Sequence, residues 1–232
     1  MPAMRFLAAI TAAVVMVVAR FLTAVRGEWE GCAPAAVQRI YFANHSSHAD
    51  FVLIWTVLPP LVRPRVRPVA AADYWLEGPI RRFLIREVFA GVLIDRRSRR
   101  GVHETSGGAD AIDRMTRALD RGDSLILFPE GTRNSTDSDL LPLRSGIYRL
   151  ARERPAVELV PVWVENLNRV LPKGEFLPVP LLCTVTFGTP MKVGTDAESE
   201  FLERARLALL ALKPPSYDNL ETRPPCPAIP KR

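Results

Sequence analysis

Short apolar runs alternate with amphipathic stretches along most of this chain. The continuous runs predict buried β-strands, because strands covered on both faces lose the alternation of polar and apolar residues. They occupy residues 39–43, 69–72, 91–96, 124–128, 157–164 and 181–187. Pro161 interrupts one of them, between Val160 and Val162, which predicts an edge strand, a bulge or an irregular lining of a site.

Between these runs, apolar residues recur at helical spacing. The pattern predicts helices over residues 48–58, 76–89, 110–121, 146–153 and 198–212. Residues 27–35 are expected to form a loop. Short buried strands that alternate with helices predict an α/β fold, a single domain with a mixed, partly parallel sheet flanked by helices. Ligands of such sheets bind beyond the strand ends, so the residues that follow the strands are the candidates for chemistry.

The N-terminal region is the longest apolar stretch of the chain. Between Arg5 and Arg20 lie 14 uncharged residues, which as a helix would extend about 21 Å. A full span needs roughly 20 residues, but the side chain of Arg20 can reach the membrane surface, so residues 6–25 could cross or enter a bilayer. A signal peptide and a buried core helix are the alternatives. We predict that residues 1–30 form an apolar, membrane-associating helical segment.

Composition indicates one folded domain with a basic surface. The 232 residues, 48% of them hydrophobic, suit a single domain, which we assign to residues 31–212. The tail over residues 213–232 contains six prolines and is expected to be extended and poorly ordered. The net charge of +6 comes mainly from arginine, since only four residues are lysine. Such a surface suits nucleic acid, an anionic membrane or a phosphorylated small molecule.

The three cysteines, at positions 32, 183 and 226, show no paired spacing. An odd number without a repeated spacing argues against both a disulfide framework and a zinc site. Cys183 lies within an apolar run and is expected in the core. These features favour a reducing compartment.

The stretch over residues 44–50, with the sequence NHSSHAD, joins a predicted strand to a predicted helix. Ser47 and Asp50 fit a capping box, with Ser47 as N-cap and Asp50 at position N3. A turn before the helix would let Asp50 reach back to His45, and a histidine held by a carboxylate suits a general base. Two alternatives are a capping box with surface histidines, and a metal site formed by His45, His48 and Asp50.

Residues 128–133, with the sequence FPEGTR, follow another predicted strand. This motif could hold a polar phosphorylated substrate. It has a carboxylate at the strand end, then a glycine that allows close approach of the backbone, then an arginine. The alternative is a turn stabilised by a Glu130–Arg133 pair. Arg96 also follows an apolar run, beside Asp95, and is therefore placed to reach a pocket.

Four stretches of this chain resemble the conserved blocks of the glycerolipid acyltransferase family typified by 1-acyl-glycerol-3-phosphate acyltransferases. They occur in the same order as the blocks of that family. His45 and Asp50 match its His-x4-Asp block, and residues 128–133 match its Phe-Pro-Glu-Gly-Thr-Arg block. Residues 91–96 and 160–162 match the second and fourth blocks more loosely. The resemblance covers about residues 38–190.

This resemblance implies an enzyme that moves a fatty acyl group from acyl-CoA or acyl-acyl-carrier-protein to the free hydroxyl of 1-acyl-glycerol-3-phosphate, which gives phosphatidic acid. His45 is implied as the base and Asp50 as the residue that orients it. The implied substrate-binding residues are Arg96, Glu130, Gly131, Thr132 and Arg133. No metal, cofactor or nucleic acid is expected.

The implied location is the cytoplasmic face of the inner (plasma) membrane, where a lysophospholipid acceptor meets a thioester donor. The same blocks would suit a different acceptor, such as another lysophospholipid, an acylated amino-acid lipid or glycerol-3-phosphate. A non-catalytic lipid-binding protein and a metal-dependent hydrolase are further alternatives.

Overall fold

A seven-stranded sheet forms the centre of the protein. The computed structural model describes residues 2–95, 104–165 and 182–214. The strands are β1 (Arg26–Trp29), β2 (Arg39–Ala43), β3 (Val66–Ala71), β4 (Val92–Ile94), β5 (Ser124–Leu127), β6 (Glu158–Val164) and β7 (Thr184–Phe187). Their order across the sheet is β1-β7-β6-β2-β5-β3-β4, and the paired strands are parallel except for the antiparallel β6–β7 pair. This mixed sheet confirms the predicted α/β class.

Helices cover both faces of the sheet. They are α1 (Pro2–Thr23), α2 (Asp50–Val57), α3 (Ala72–Trp75), α4 (Pro79–Phe83), α5 (Glu104–Asp120), α6 (Gly146–Glu153) and α7 (Glu198–Leu210). A 3₁₀ turn at Arg63–Arg65 and a π-helical turn at Leu84–Val88 complete the described helical elements.

The central strand β2 divides the core in two. Successive side chains of a strand point to opposite faces of the sheet. Tyr41 and Ala43 join the core beneath α1, α2 and the π-turn, whereas Ile40 and Phe42 join the core beneath α5, α6 and α7. All four side chains are fully buried, which explains why β2 appears in the sequence as a continuous apolar run.

The N-terminal helix α1 lies against the domain along one side. Ala12, Val15, Met16 and Ala19 recur at helical spacing and pack on the core beneath α1 and α2. Large apolar side chains on the opposite side are exposed, among them Phe6, Val17 and Phe21. By length and composition this helix is apolar enough to cross a membrane, so the predicted apolar N-terminal helix is confirmed.

Two predicted segments differ from the structure. The expected loop over residues 27–35 begins with β1, a short polar edge strand that forms by pairing with β7, 158 positions further along the chain at Arg26 and Thr184. The helix expected over residues 76–89 begins only at Pro79, after Gly78 with a φ of 77°, and changes to the π-helical turn at Leu84. Glycine tolerates this left-handed conformation, and proline suits the first position of a helix.

Pro161 lies in an inner strand, so the edge strand, one of the three alternatives for this position, is wrong. Strand β6 pairs with β2 on one side and with β7 on the other. The β7 pairing begins at Val162, and the carbonyl of Pro161 accepts a 2.9 Å hydrogen bond from the Gly188 N–H. Proline is tolerated here because its missing N–H falls where the antiparallel ladder ends.

Candidate active site

Two of the sequence motifs meet because their strands are neighbours. Strands β2 and β5 are parallel, with Phe42 beside Leu127. The residues that follow them, 44–50 and 128–133, therefore leave the same edge of the sheet, as expected for a ligand site of an open α/β fold. The ring of His45 stacks on Phe128, with centroids 4.2 Å apart and planes 18° apart.

Asp50 holds His45 in one orientation. Asp50 Oδ2 lies 2.9 Å from His45 Nδ1 and accepts further hydrogen bonds from the N–H groups of Ser46 and Ser47, at 2.7 and 2.8 Å. The Asp50 residue is 0% exposed. Because Oδ2 acts as an acceptor, Nδ1 carries the proton and Nε2 keeps its lone pair. The predicted His45–Asp50 pair therefore has the geometry of a general base with its orienting carboxylate.

The turn before α2 realises only part of the predicted capping box. The Ser47 N–H donates to Asp50 as that motif requires, but α2 begins at Asp50, and its N-cap, Ala49, makes no side-chain cap. The hydroxyl of Ser47 accepts a 3.3 Å hydrogen bond from the Ala49 N–H. The Asp50 carboxylate thus binds both the backbone of the turn and the His45 ring. This holds the histidine close to the start of α2.

Glu130 is a positioning residue in this structure. Its Oε1 accepts a 2.7 Å hydrogen bond from the His45 N–H, and its Oε2 accepts a 2.9 Å hydrogen bond from the Leu141 N–H. Glu130 is 2% exposed, and burial raises the pKa of its carboxyl, although the two backbone hydrogen bonds oppose that shift. Both carboxylate oxygens thus bind the protein backbone, and the contact of Glu130 with substrate stays a prediction.

Further backbone contacts join the two motifs. The carbonyl of His45 accepts a 2.7 Å hydrogen bond from the Asn134 N–H, and the carbonyl of Glu130 accepts one of 2.9 Å from Arg144 Nε. Gly131, between them, has a φ of 71°. A Cβ atom there would lie 2.5 Å from Arg144 Nε. Glycine is therefore favoured at this position both by the left-handed backbone conformation and by the lack of room for a side chain.

Asn44 is a positioning residue that the sequence analysis did not single out. Its amide Nδ2 donates to the Val164 carbonyl at 3.0 Å, and its Oδ1 accepts from the Val164 N–H at 2.8 Å. The side chain thus imitates a peptide group and extends the β2–β6 pairing by one step, directly before His45. A polar residue at the end of a buried strand was the available signal, but its partner lies 120 residues away.

Two cavities share His45 as a lining residue. The first, of about 460 Å³ and here called the polar cavity, is lined by residues that include His45, His48, Asp73, Tyr74, Thr132 and Arg133. The second, of about 380 Å³ and here called the apolar-walled cavity, is lined by residues that include His45, Ile112, Met115, Leu127, Arg144 and Arg149. His45 therefore borders both cavities.

The predicted substrate-binding residues are divided between these cavities. Thr132 and Arg133 line the polar cavity, and Gly131 lines the apolar-walled one. Arg96 lies outside the described residues, although its neighbour Asp95 lines the apolar-walled cavity.

His48 packs against the segment that follows β3 and lines the polar cavity together with His45. Its ring stacks on Tyr74, with centroids 3.9 Å apart and planes 7° apart, and the Arg81 guanidinium lies 4.4 Å from the centroid of the same Tyr74 ring. Within residues 2–95, 104–165 and 182–214, no group of three or more His, Cys, Asp or Glu side chains is arranged to hold a metal ion.

Comparison with known proteins identifies the family. The family model described as Acyltransferase matches residues 31–165, a span that contains both motifs and the dyad. This chain belongs to the acyltransferase family. The expected resemblance is thereby confirmed.

Individual proteins that are similar to this chain are also acyltransferases. The chain is 30% identical over 174 residues to a 1-acyl-sn-glycerol-3-phosphate acyltransferase of Limnanthes alba, which covers 73% of this chain and 55% of the relative. The homologue of Limnanthes douglasii is 32% identical over 162 residues, which covers 68% and 50% respectively. The chain thus spans about half the length of these relatives.

A solved structure shares the acyltransferase fold. It is the crystal structure of the 1-acyl-sn-glycerophosphate (LPA) acyltransferase PlsC of Thermotoga maritima, with a TM-score of 0.65 and 21% identity. The similarity covers 92% of this chain and 79% of that one. It supports the architecture of sheet and helices described above.

Proposed function

We propose that this protein transfers a fatty acyl group from a thioester donor to the free hydroxyl of 1-acyl-glycerol-3-phosphate, which gives phosphatidic acid for phospholipid synthesis. The observation that carries the proposal is the His45–Asp50 pair, because His45 lines both cavities. Acyl transfer between two substrates needs one base that both can reach, because the hydroxyl must attack while the thioester carbonyl is within contact distance.

In the proposed reaction, His45 Nε2 accepts the proton of the acceptor hydroxyl while that oxygen attacks the thioester carbonyl carbon. The new C–O bond forms and the carbonyl electron pair moves onto its oxygen. When the intermediate collapses, the C–S bond breaks and the imidazolium returns the proton to the departing sulfur. Asp50 keeps the ring oriented and stabilises its charged form, as in a Ser-His-Asp triad with the substrate hydroxyl in the place of serine.

Charge supports the choice of a phosphorylated acceptor. Arg133 and Thr132 line the polar cavity beside His45, and arginine can bind a phosphate through two parallel hydrogen bonds. We expect the acceptor phosphate here, with Arg96 as a further predicted contact. The donor would then approach from the apolar-walled cavity, where Ile112 and Met115 offer an apolar surface for an acyl chain.

The substrates also imply a location. Acceptor and product are lipids, so the protein must work at a bilayer, and the exposed apolar side of α1 supports attachment there. We propose the cytoplasmic face of the inner membrane, where acyl-CoA and acyl-acyl-carrier-protein are present. No metal or cofactor is needed for the proposed steps.

A matrix of acyl donors against lysolipid acceptors tests the function. The wild-type protein should release free thiol with acyl-CoA or acyl-acyl-carrier-protein in the presence of 1-acyl-glycerol-3-phosphate. His45→Ala should lower kcat at least about 10²-fold at unchanged fold, since general-base catalysis contributes about 10²–10⁴-fold. His48→Ala removes the other imidazole of the motif without touching the dyad, so its kcat should remain within about tenfold. Full activity of His45→Ala would refute the catalytic assignment.

A second acceptor class is favoured by one feature of the polar cavity. Asp73 and Glu77 line it together with Arg133, so carboxylates and a guanidinium face the same space. An acylated amino-acid lipid, with a cationic amine and an anionic group, would match both signs of charge. Faster turnover of such an acceptor than of 1-acyl-glycerol-3-phosphate in the same matrix would select this alternative.

A further inference from the structure

Exposed apolar side chains concentrate on one side of the molecule. Among the described residues, eight of the thirteen exposed large apolar side chains belong to α1. Two more, Leu61 and Ile80, are 79% and 74% exposed. Both lie on segments that cover the same face of the sheet as α1.

The positions of Leu61 and Ile80 follow from contacts with α1. Leu61 precedes Arg63, whose Nη1 donates to the Met16 sulfur of α1 at 2.7 Å. Ile80 lies on α4, which continues directly into the π-turn, and the π-turn packs against α1. Ile80 is therefore one helical turn away from an element that contacts the N-terminal helix.

Positively charged side chains lie near Ile80 in the sequence. Arg82 and Arg86 are exposed on the same helical stretch. Arg81, by contrast, binds neighbouring side chains, with its guanidinium over Tyr74 and 3.3 Å from the Glu77 carboxylate. Apolar side chains flanked by arginines are the composition of helices that lie in the headgroup region of anionic bilayers.

We propose that Ile80, Arg82 and Arg86, here called the α4 patch, form a second contact with an anionic phospholipid bilayer beside α1. This inference rests on the membrane attachment included in the proposed function and adds its orientation. Ile80 enters the headgroup–acyl boundary, and the two guanidinium groups bind lipid phosphates. The chain is thereby held on the membrane at two places instead of by α1 alone.

The α4 patch follows closely after residues that line the polar cavity. Tyr74 and Glu77, which line the polar cavity, precede Ile80 by six and three residues. Contact of α4 with lipid therefore brings the polar cavity to the headgroup layer. A lysolipid acceptor then reaches His45 without leaving the membrane surface.

A depth probe at position 80 tests the contact directly. Ile80→Cys and, as matched control, Leu207→Cys are labelled with a thiol-reactive fluorophore in a full chain that carries Cys32→Ser and Cys226→Ser. Leu207 is also an exposed apolar residue but lies on α7, on the opposite face of the sheet. Cys183 can stay, because it is 1% exposed and burial raises its pKa to about 11, which keeps its thiol unreactive near neutral pH.

The labelled chains are bound to vesicles of phosphatidylcholine with phosphatidylglycerol, some of which carry bromine on the acyl chains as quencher. We expect quenching at position 80 and none at position 207. Equal exposure of both labels to water on vesicle-bound protein overturns the inference while leaving membrane attachment intact. Failure of the unmodified chain to bind vesicles at all is a separate result, which refutes the attachment on which the inference rests.

Kinetics test the second part of the inference. Ile80→Asp and the double variant Arg82→Gln/Arg86→Gln are compared with Leu207→Asp and Arg117→Gln/Arg206→Gln, which make the same changes on the opposite face. The α4 variants should raise the apparent KM for vesicle-borne acceptor, by about fivefold for each arginine removed. Their KM for a short-chain, monomeric acceptor should not change.

An acidic carrier protein is the competing partner for these arginines. If the α4 variants lose activity only with acyl-acyl-carrier-protein, and keep it with acyl-CoA on the same vesicles, the patch binds the donor protein and the lipid contact is overturned. Circular dichroism of each variant excludes a general loss of fold, which is not expected at positions as exposed as these.

Discussion

The carboxylate of Glu130 accepts a 2.7 Å hydrogen bond from the backbone N–H of His45, across 85 positions of sequence. The second carboxylate oxygen binds the Leu141 N–H. One buried side chain therefore connects the catalytic motif to both ends of the segment that follows β5. We expect it to act on the reaction through the position of His45.

Replacement of Glu130 by glutamine tests this role. Glutamine keeps one acceptor oxygen, but its NH₂ group must face one of the two backbone N–H groups, which then lacks a partner. We expect the free energy of unfolding to fall by about 1–3 kcal/mol and kcat to fall with it. Urea unfolding and steady-state kinetics measure the two effects. Glu203→Gln, on the exposed surface of α7, should change neither, and an equal response of both variants would contradict the assignment.

Burial of Glu130 also predicts a pH dependence of stability. The raised pKa means that the folded chain holds this proton to a higher pH than the unfolded chain does. Its contribution to stability is therefore fully present below the unfolded pKa, near 4.5, and is lost as the pH rises through the folded value. The unfolding free energy of wild type minus that of Glu130→Gln should decrease between about pH 4 and 7. An increase would mean that the backbone hydrogen bonds outweigh desolvation.

Asp50→Asn should remove the orientation of His45. An amide NH₂ group in place of Oδ2 would face the N–H donors of Ser46 and Ser47. An amide oxygen in that place would accept their hydrogen bonds but would no longer stabilise a charged imidazole. We expect kcat to fall about 10³–10⁴-fold, by analogy with the loss of the aspartate in Ser-His-Asp enzymes. Asp110→Asn, which breaks an exposed ion pair with Arg114 on α5, is the control and should keep its activity.

Asn44→Ala should destabilise the end of β2. The N–H and C=O of Val164 would both lose their partner in a buried position, at a cost of about 1–3 kcal/mol for each group. Asn44→Asp is the informative companion, because it keeps the acceptor for the Val164 N–H but places an oxygen against the Val164 carbonyl. We expect both variants to unfold at lower urea concentration. Wild-type stability of the alanine variant would show that water replaces the side chain.

Gly131→Ala and Gly194→Ala separate the cost of a strained backbone conformation from the cost of a steric clash. Both glycines have positive φ, 71° and 60°, so alanine costs roughly 1–2 kcal/mol at each. Only at Gly131 does the new methyl group approach Arg144, at 2.5 Å, whereas at Gly194 the nearest atom is 3.7 Å away. Activity should therefore fall in the Gly131 variant alone. Thermal unfolding and turnover of the two proteins provide the comparison.

Local patterns in the sequence predict much of this protein. Strand β2, helix α6 and most of β5 and β6 lie where continuous apolar runs or helical spacing place them. The pairing of His45 with Asp50 is also local, because the two residues are five positions apart and one turn joins them. Strand exits in an α/β sheet further indicate that residues 128–133 belong near the same site.

Contacts between distant segments determine the rest. Strand β1 has no apolar pattern of its own and exists through its pairing with β7. Glu130 looks like a substrate ligand in sequence, yet its carboxylate finds two backbone N–H groups in the interior, one of them 85 residues away. Asn44 likewise completes a strand 120 residues further on. The sequence by itself determined most of the elements and the pairing of His45 with Asp50, because these depend on periodicity and short spacing. Only the tertiary structure decided which polar groups are buried to position the dyad, because a buried polar group is defined by the partners that folding brings to it.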